Sequence, residues 1–195
     1  EKPIIVIDPG HGGIDPGAHG VGGAVEKRIV LEYAQALKQK LEKSGKYSVK
    51  LTRDRDEFIM LRQRVAIARK AKGDLFLSLH ADSAPGSAHG LSVYTVSEEA
   101  SDEEAALLAA QENKADVLSG LNLANEREDV AGILISLAER DTKNRSATLA
   151  DFLVTSLDDY VHLLPHSHRF AGFAVLKAPD IPSVLVEIGF LSHPQ

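Results

Sequence analysis

Four residues far apart in the chain have the side chains of a catalytic metal centre: His11, Glu26, His80 and Glu187. His11 lies in Asp8-Pro9-Gly10-His11-Gly12-Gly13, directly after the apolar run Ile4-Ile5-Val6-Ile7. His80 closes a second apolar run that begins at Leu75, and Glu187 interrupts a third, Val184-Leu185-Val186 followed by Ile188. Two imidazoles and one carboxylate, His11, His80 and Glu26, leave a coordination position open, as a catalytic zinc requires. Glu187 sits among apolar residues, where desolvation raises the pKa of a carboxyl group into the range of a general acid or base. Each residue also has a plainer reading alone. Glu26 can be a helix-start charge, His80 a core histidine bonded to backbone, and Glu187 a buried partner of Arg53 or Arg62. Their common placement at strand ends or in adjoining loops favours the metal reading, because ligands gather at that edge of an open α/β sheet.

The elements that must position these groups follow from periodicity. Short apolar runs predict strands at Ile4 to Asp8, Tyr47 to Thr52, Leu75 to Leu79, Gly90 to Val96, Phe173 to Leu176 and Ser183 to Ile188. Helical spacing predicts helices over Val25 to Ser44, Phe58 to Ala71, Ser101 to about Leu118, Glu128 to Arg140, and 145 to 161. Ser101-Asp102-Glu103-Glu104 reads as a capping box. The glycine-rich residues 9 to 24 form a loop. The expected fold is α/β: a mainly parallel mixed sheet of about six strands, with helices on both faces and a helical insertion, 97–160, between the fourth and fifth strands. His162, His166 and His168 are expected in a surface loop, and His19 at the mouth of the site.

Composition narrows the function classes. The 195 residues suffice for a single domain. A net charge of -6 without a basic run argues against nucleic acid as a partner. With no cysteine, thiolate metal sites and disulfides are excluded. No stretch of the sequence reaches transmembrane length, so membrane insertion is not expected, and the chain is expected to be a monomer.

The motifs, taken together, resemble those of zinc-dependent N-acetylmuramoyl-L-alanine amidases of the Amidase_3 type. They are Ile5-Val6-Ile7-Asp8-Pro9-Gly10-His11-Gly12-Gly13, Gly23-Ala24-Val25-Glu26-Lys27, Leu51-Thr52-Arg53-Asp54, Ser78-Leu79-His80-Ala81-Asp82, and the run from Pro182 through Glu187 to Ser192. They occur in order from end to end of the chain. Where the family has Asn after His-Ala, this chain has Asp82. The family domain continues past Ser192 into a further helix, so residues 1–195 are expected to be one catalytic domain truncated at its C-terminus. The resemblance implies that His11, Glu26 and His80 bind zinc and that Glu187 is the catalytic carboxylate. It implies hydrolysis of the amide between N-acetylmuramic acid and L-alanine in peptidoglycan, with a role in cell separation and a periplasmic location. The competing readings are a catalytically silent cell-wall-binding module, a zinc peptidase acting on free peptides, and an iron enzyme with a two-His-one-carboxylate triad.

The insertion resembles that of the Gram-negative cell-division amidases, in which a helix covers the zinc site until an activator of the LytM type displaces it. On the helix from Ser101, Ala105, Leu108, Glu112 and Ala115 share one face, so Glu112 is a carboxylate within an apolar stripe. The expectation is that Glu112 fills the open zinc position; the plainer reading is a solvated edge-of-stripe glutamate. Val130, Ile133, Leu134 and Leu137 form a second apolar face, which either packs on its neighbours or binds the activator.

Overall fold

A computed structural model describes residues 1–83, 89–118 and 133–192, with residue 118 and residues 133–138 described by their backbone alone. Six strands form one mixed sheet: β1 (Ile4–Pro9), β2 (Ser48–Leu51), β3 (Leu75–His80), β4 (Leu91–Val96), β5 (Leu163–Ala171) and β6 (Ser183–Glu187). Their spatial order is β2-β1-β3-β6-β4-β5. The strands from β2 to β6 run parallel, β4 is antiparallel to β6, and β5 is parallel to β4. The helices are α1 (Glu26–Lys43), α2 (Leu61–Lys70), α3 (Glu103–Glu112), α4 (Ala115–Leu118) and α5 (Ile133–Leu157).

Alternation along the strands divides the core into two layers. Val6, Phe76, Tyr94 and Leu185 face α2 and α3, meeting Leu61, Ala68, Ala105, Leu108 and Ala109. Ile7, Val49, Val93, Val184 and Val186 face the opposite way, toward Val30 and Ala34 of α1 and Ala150 of α5. Helices therefore cover both faces. The described parts of 97–160 pack onto this sheet: α3 contributes to one layer, and Leu149, Leu153, Val154 and Leu157 pack against the other.

Three expected elements are placed differently. The fifth strand is Leu163–Ala171, whereas Ala174–Leu176 is a 3-10 turn. An edge strand pairs on one side only, so it tolerates Pro165 and the polar run from His166 to Arg169 that masked it in the sequence. His166 and His168 thus lie on a strand rather than in a loop; His168 accepts or donates toward Thr95 on one ring nitrogen and meets Asp151 of α5 at 2.7 Å with the other. Second, the backbone from Ile133 is one helix through Leu157, with no break near residue 141. No glycine or proline interrupts it, and buried Ser146 bonds the Thr142 carbonyl and the Ser183 amide. Residues 128–132 of the expected helix, including Val130, lie outside the described residues, as do the side chains of Ile133, Leu134 and Leu137. Third, α3 starts at Glu103 with Asp102 as its cap and ends at Glu112, so Ala115 belongs to a separate short helix.

Two buried arginines fix the chain where β1 leaves the sheet. Arg53 donates to the carbonyls of Pro9, Gly10, Lys27 and Arg55. Arg64 donates to the carbonyls of Pro9, His11 and Ile59 and pairs with Asp8 at 2.9 Å. Asp8 also accepts from Thr52 and Ser78. Burial alone would raise the Asp8 pKa; the Arg64 guanidinium and these hydroxyls outweigh burial and hold it below 3.8, its ordinary value.

Removing one partner of a buried ion pair strands the other. Asp8→Asn is expected to cost about 3 kcal/mol, read as a lower urea midpoint at neutral pH. Because the folded-state pKa is depressed, this contribution is present above about pH 4 and is lost as pH falls through the folded value. Wild-type stability should therefore fall more steeply than that of the variant below about pH 4.

Candidate metal centre

The C-terminal ends of β1, β3 and β6 converge, and each delivers one titratable side chain. His80 is the last residue of β3 and lies in register with Glu187, the last of β6. His11 is the second residue beyond β1, in the left-handed conformation with φ 58°. L-residues seldom adopt that region, and here the neighbouring contacts hold it. Its carbonyl accepts from Arg64, and Gly12 and Asp15 exchange two backbone hydrogen bonds. Glu26 opens α1, where the helix dipole favours an anion.

Four donor atoms from these elements meet. Glu26 Oε1 lies 3.0 Å from His11 Nε2 and 3.2 Å from His80 Nδ1. Glu112 Oε2, from the last turn of α3, lies 3.5 Å from His11 Nε2 and 3.2 Å from His80 Nδ1. Ligands held 2.0–2.1 Å from a tetrahedral zinc are about 3.3 Å apart, so the spacing matches a shared ion. Although oxygens are within reach, His11 Nε2 and His80 Nδ1 make no hydrogen bond among the described residues. Buried nitrogens of this kind are costly unless something else engages them. His11, His80 and Glu112 alone also satisfy the spacing for a cation among the described residues. The nitrogen and oxygen donors are those that zinc takes.

The electrostatics point the same way. Burial disfavours the His11 cation, but Asp15, Glu26 and Glu112 outweigh it and raise the pKa to about 11. Burial would likewise raise the Glu26 pKa, yet its closeness to both imidazoles drives it well below the ordinary range. Glu112 is raised, first by burial and then by Glu26 and Asp82, with the imidazoles only partly opposing. It also stands at a helix C-terminus, where the dipole disfavours an anion. A divalent cation relieves all of these groups at once.

Glu187 stands beside this quartet. Its Oε2 accepts from the Asp82 amide at 3.0 Å, and its Oε1 has no partner among the described residues. Burial first, then the charges of Glu26, Glu112 and Asp82, lift its pKa well above the ordinary value. Arg53 is committed to backbone carbonyls, so a structural pairing with Glu187 does not form. His19 is exposed and lies outside the cluster.

Comparison with known proteins shows the family of this chain. The description N-acetylmuramoyl-L-alanine amidase matches residues 5–195. The chain belongs to this family. AmiA of Escherichia coli (strain K12) is 39% identical over 196 residues, a match spanning 100% of this chain and 68% of AmiA. AmiC of Neisseria meningitidis is 40% identical over 195 residues, or 99% of this chain and 46% of AmiC. The chain thus spans about half to two thirds of these relatives. Among solved structures, AmiC2 of Nostoc punctiforme superposes with a TM-score of 0.62 at 27% identity, covering 100% of this chain and 83% of that one. The catalytic domain of CwlV from Bacillus (Paenibacillus) polymyxa var. colistinus gives 0.62 at 26% identity, covering 98% and 82%.

In this amidase-family domain the sequence analysis did not single out Asp15 or Arg64, and it placed Arg53 only within a motif and as an alternative partner of Glu187. Asp15 is four residues beyond His11, and that spacing in a glycine-rich turn was the available signal. The carbonyl clamp of the two arginines had none, because it rests on long-range contacts. Two glycines make room for the donors. A Cβ on Gly10 would lie 2.4 Å from the His80 ring, and one on Gly17 would lie 2.6 Å from both Glu26 and the His11 ring. Gly17 also has φ +67°, which L side chains disfavour. Gly10→Ala and Gly17→Ala are each expected to weaken zinc binding at least about tenfold, measured by competition with a chelating dye.

Proposed function

We propose that the chain is a zinc-dependent peptidoglycan amidase whose site is held closed by α3. The observation that carries this reading is the convergence of His11, Glu26 and His80 with Glu187 at their side, on the sheet edge of an amidase-family fold. In this reading His11 Nε2, Glu26 and His80 Nδ1 hold the zinc. Zinc, when bound, acidifies water and polarises the scissile carbonyl. Glu187 Oε1 takes the proton from the attacking water and returns it to the leaving nitrogen as the C–N bond breaks. The products are a carboxyl group on the lactyl ether of N-acetylmuramic acid and a free amine on L-alanine. A raised pKa suits Glu187 to both proton transfers, since its conjugate acid must survive long enough to protonate the amine.

Glu112 is the inhibitory group in this proposal, filling the position that water needs. Neighbouring contacts support a seated α3. Gln111 donates to Asp82 at 3.3 Å, and the Asn113 side chain bonds both Gly172 and Ala174. Asp116 accepts from the Leu61 amide at the start of α2. Ala105, Leu108 and Ala109 are buried in the core, so withdrawing the whole helix would expose apolar surface. Release therefore needs compensation from a binding partner, and we propose a LytM-type activator in that role. Peptidoglycan as substrate, a part in cell separation and a periplasmic location complete the proposal. Among the described residues, no helix is long and apolar enough to cross a membrane.

Glu187→Gln is expected to lower release of free stem peptides from purified peptidoglycan by about 10²–10⁴-fold while leaving zinc content unchanged. Loss of zinc in that variant would instead make Glu187 a ligand. Glu112→Ala is expected to raise basal release while the domain keeps its zinc; no gain over the wild type would remove the inhibitory role from Glu112.

A further inference from the structure

We infer that Asp15 is a positioning residue that fixes the tautomer and ring orientation of His11 for metal binding. This rests on the reading that a metal ion occupies the donor quartet. Asp15 Oδ2 lies 2.9 Å from His11 Nδ1, and both side chains are buried. The contact places the imidazole proton on Nδ1, which leaves the Nε2 lone pair directed at the quartet. Asp15 is itself held from two sides. Its Oδ1 accepts from the Gly17 amide at 3.1 Å, and its backbone exchanges hydrogen bonds with Gly12. The turn from His11 to Asp15 is thus a closed unit in which one end binds the metal and the other aims it.

The neighbouring ligand shows why such aiming is needed. His80 presents Nδ1 from the last position of β3, and its ring packs against the backbone at Gly10. His11 sits in a left-handed loop conformation and has no strand to constrain it. A carboxylate on the remote nitrogen supplies the constraint and also raises the basicity of the ligand nitrogen.

The test is zinc affinity by chelator competition for the wild type, Asp15→Ala and Asp15→Asn, each alone and in a His11→Ala background. Asp15→Ala is expected to weaken zinc ten- to a hundredfold, and Asp15→Asn by less, because the amide oxygen still accepts from Nδ1. In the His11→Ala background neither substitution should weaken zinc further, since Asp15 acts through His11. Affinities within about twofold of wild type for both single variants would overturn the inference. An equal loss with and without His11 would also overturn it, by assigning Asp15 a role in the loop alone. Should Asp15→Ala fail to fold without metal, Asp15→Asn keeps the side-chain size and carries the same comparison. Zinc affinity is read without substrate, so a Glu112→Ala domain that binds zinc as expected but still releases no stem peptide would sink the amidase proposal and leave this inference standing.

Discussion

The burial of several carboxyl groups around two imidazoles is the constraint around which this domain is organised. Glu26, Glu112 and Glu187 are all nearly inaccessible, and Asp15 lies behind His11. Isolated carboxylates in such surroundings cost several kcal/mol each unless they are paired or protonated. Here the response differs by residue. Glu26 stays ionised beside two imidazoles, whereas Glu112 and Glu187 are pushed toward the proton-bound form. Two ring nitrogens without hydrogen bonds mark where a cation would relieve the strain. In the proposed function, metal binding, acid–base chemistry and the seating of α3 all draw on one electrostatic arrangement rather than on separate devices.

The scaffold makes that arrangement possible by keeping conflicting requirements apart. The donors must approach within about 3 Å of one another, so the backbone beside them lacks side chains at Gly10 and Gly17. A chain so permissive would not hold a ligand in place on its own. Arg53 and Arg64 restore order by gripping the carbonyls of Pro9, Gly10 and His11 from beneath. Their own charge is balanced in part by Asp8, whose carboxylate is tied to β3 through Ser78 and to the residue just after β2 through Thr52. The loop is therefore flexible in composition and rigid in context, which is what a preorganised metal site requires.

α3 occupies an intermediate position between core and lid. Its Ala105, Leu108 and Ala109 belong to a hydrophobic layer with Tyr94 and Leu185, while its last residue enters the donor cluster. Under the proposed inhibitory role, the packing of α3 links two states: closing the site and completing the core occur together. Any partner that opens it must supply apolar contact as well as displace a carboxylate.

Local patterns in the sequence were sufficient for much of this. Apolar runs followed by His11, closed by His80 and interrupted by Glu187 located three central strands, and the glycine-rich loop with Glu26 at a helix start located the fourth candidate residue. The order of these motifs identified the family before any coordinates. The placement of β5 and the continuity of α5 were not legible. An edge strand needs no apolar alternation, and a buried Ser146 gives no hydrophobic signal. Likewise, helical spacing put Glu112 on the apolar face of α3, but spacing could not say what that face meets. Residue identity alone determined which groups can bind a metal, because ligand chemistry belongs to the side chain. Only the tertiary structure decided that Glu112 reaches His11 and His80, that Asp15 backs His11 and that two arginines hold the loop. Those relations join segments tens of residues apart, and the distances that decide them exist only once the sheet has brought its strand ends together.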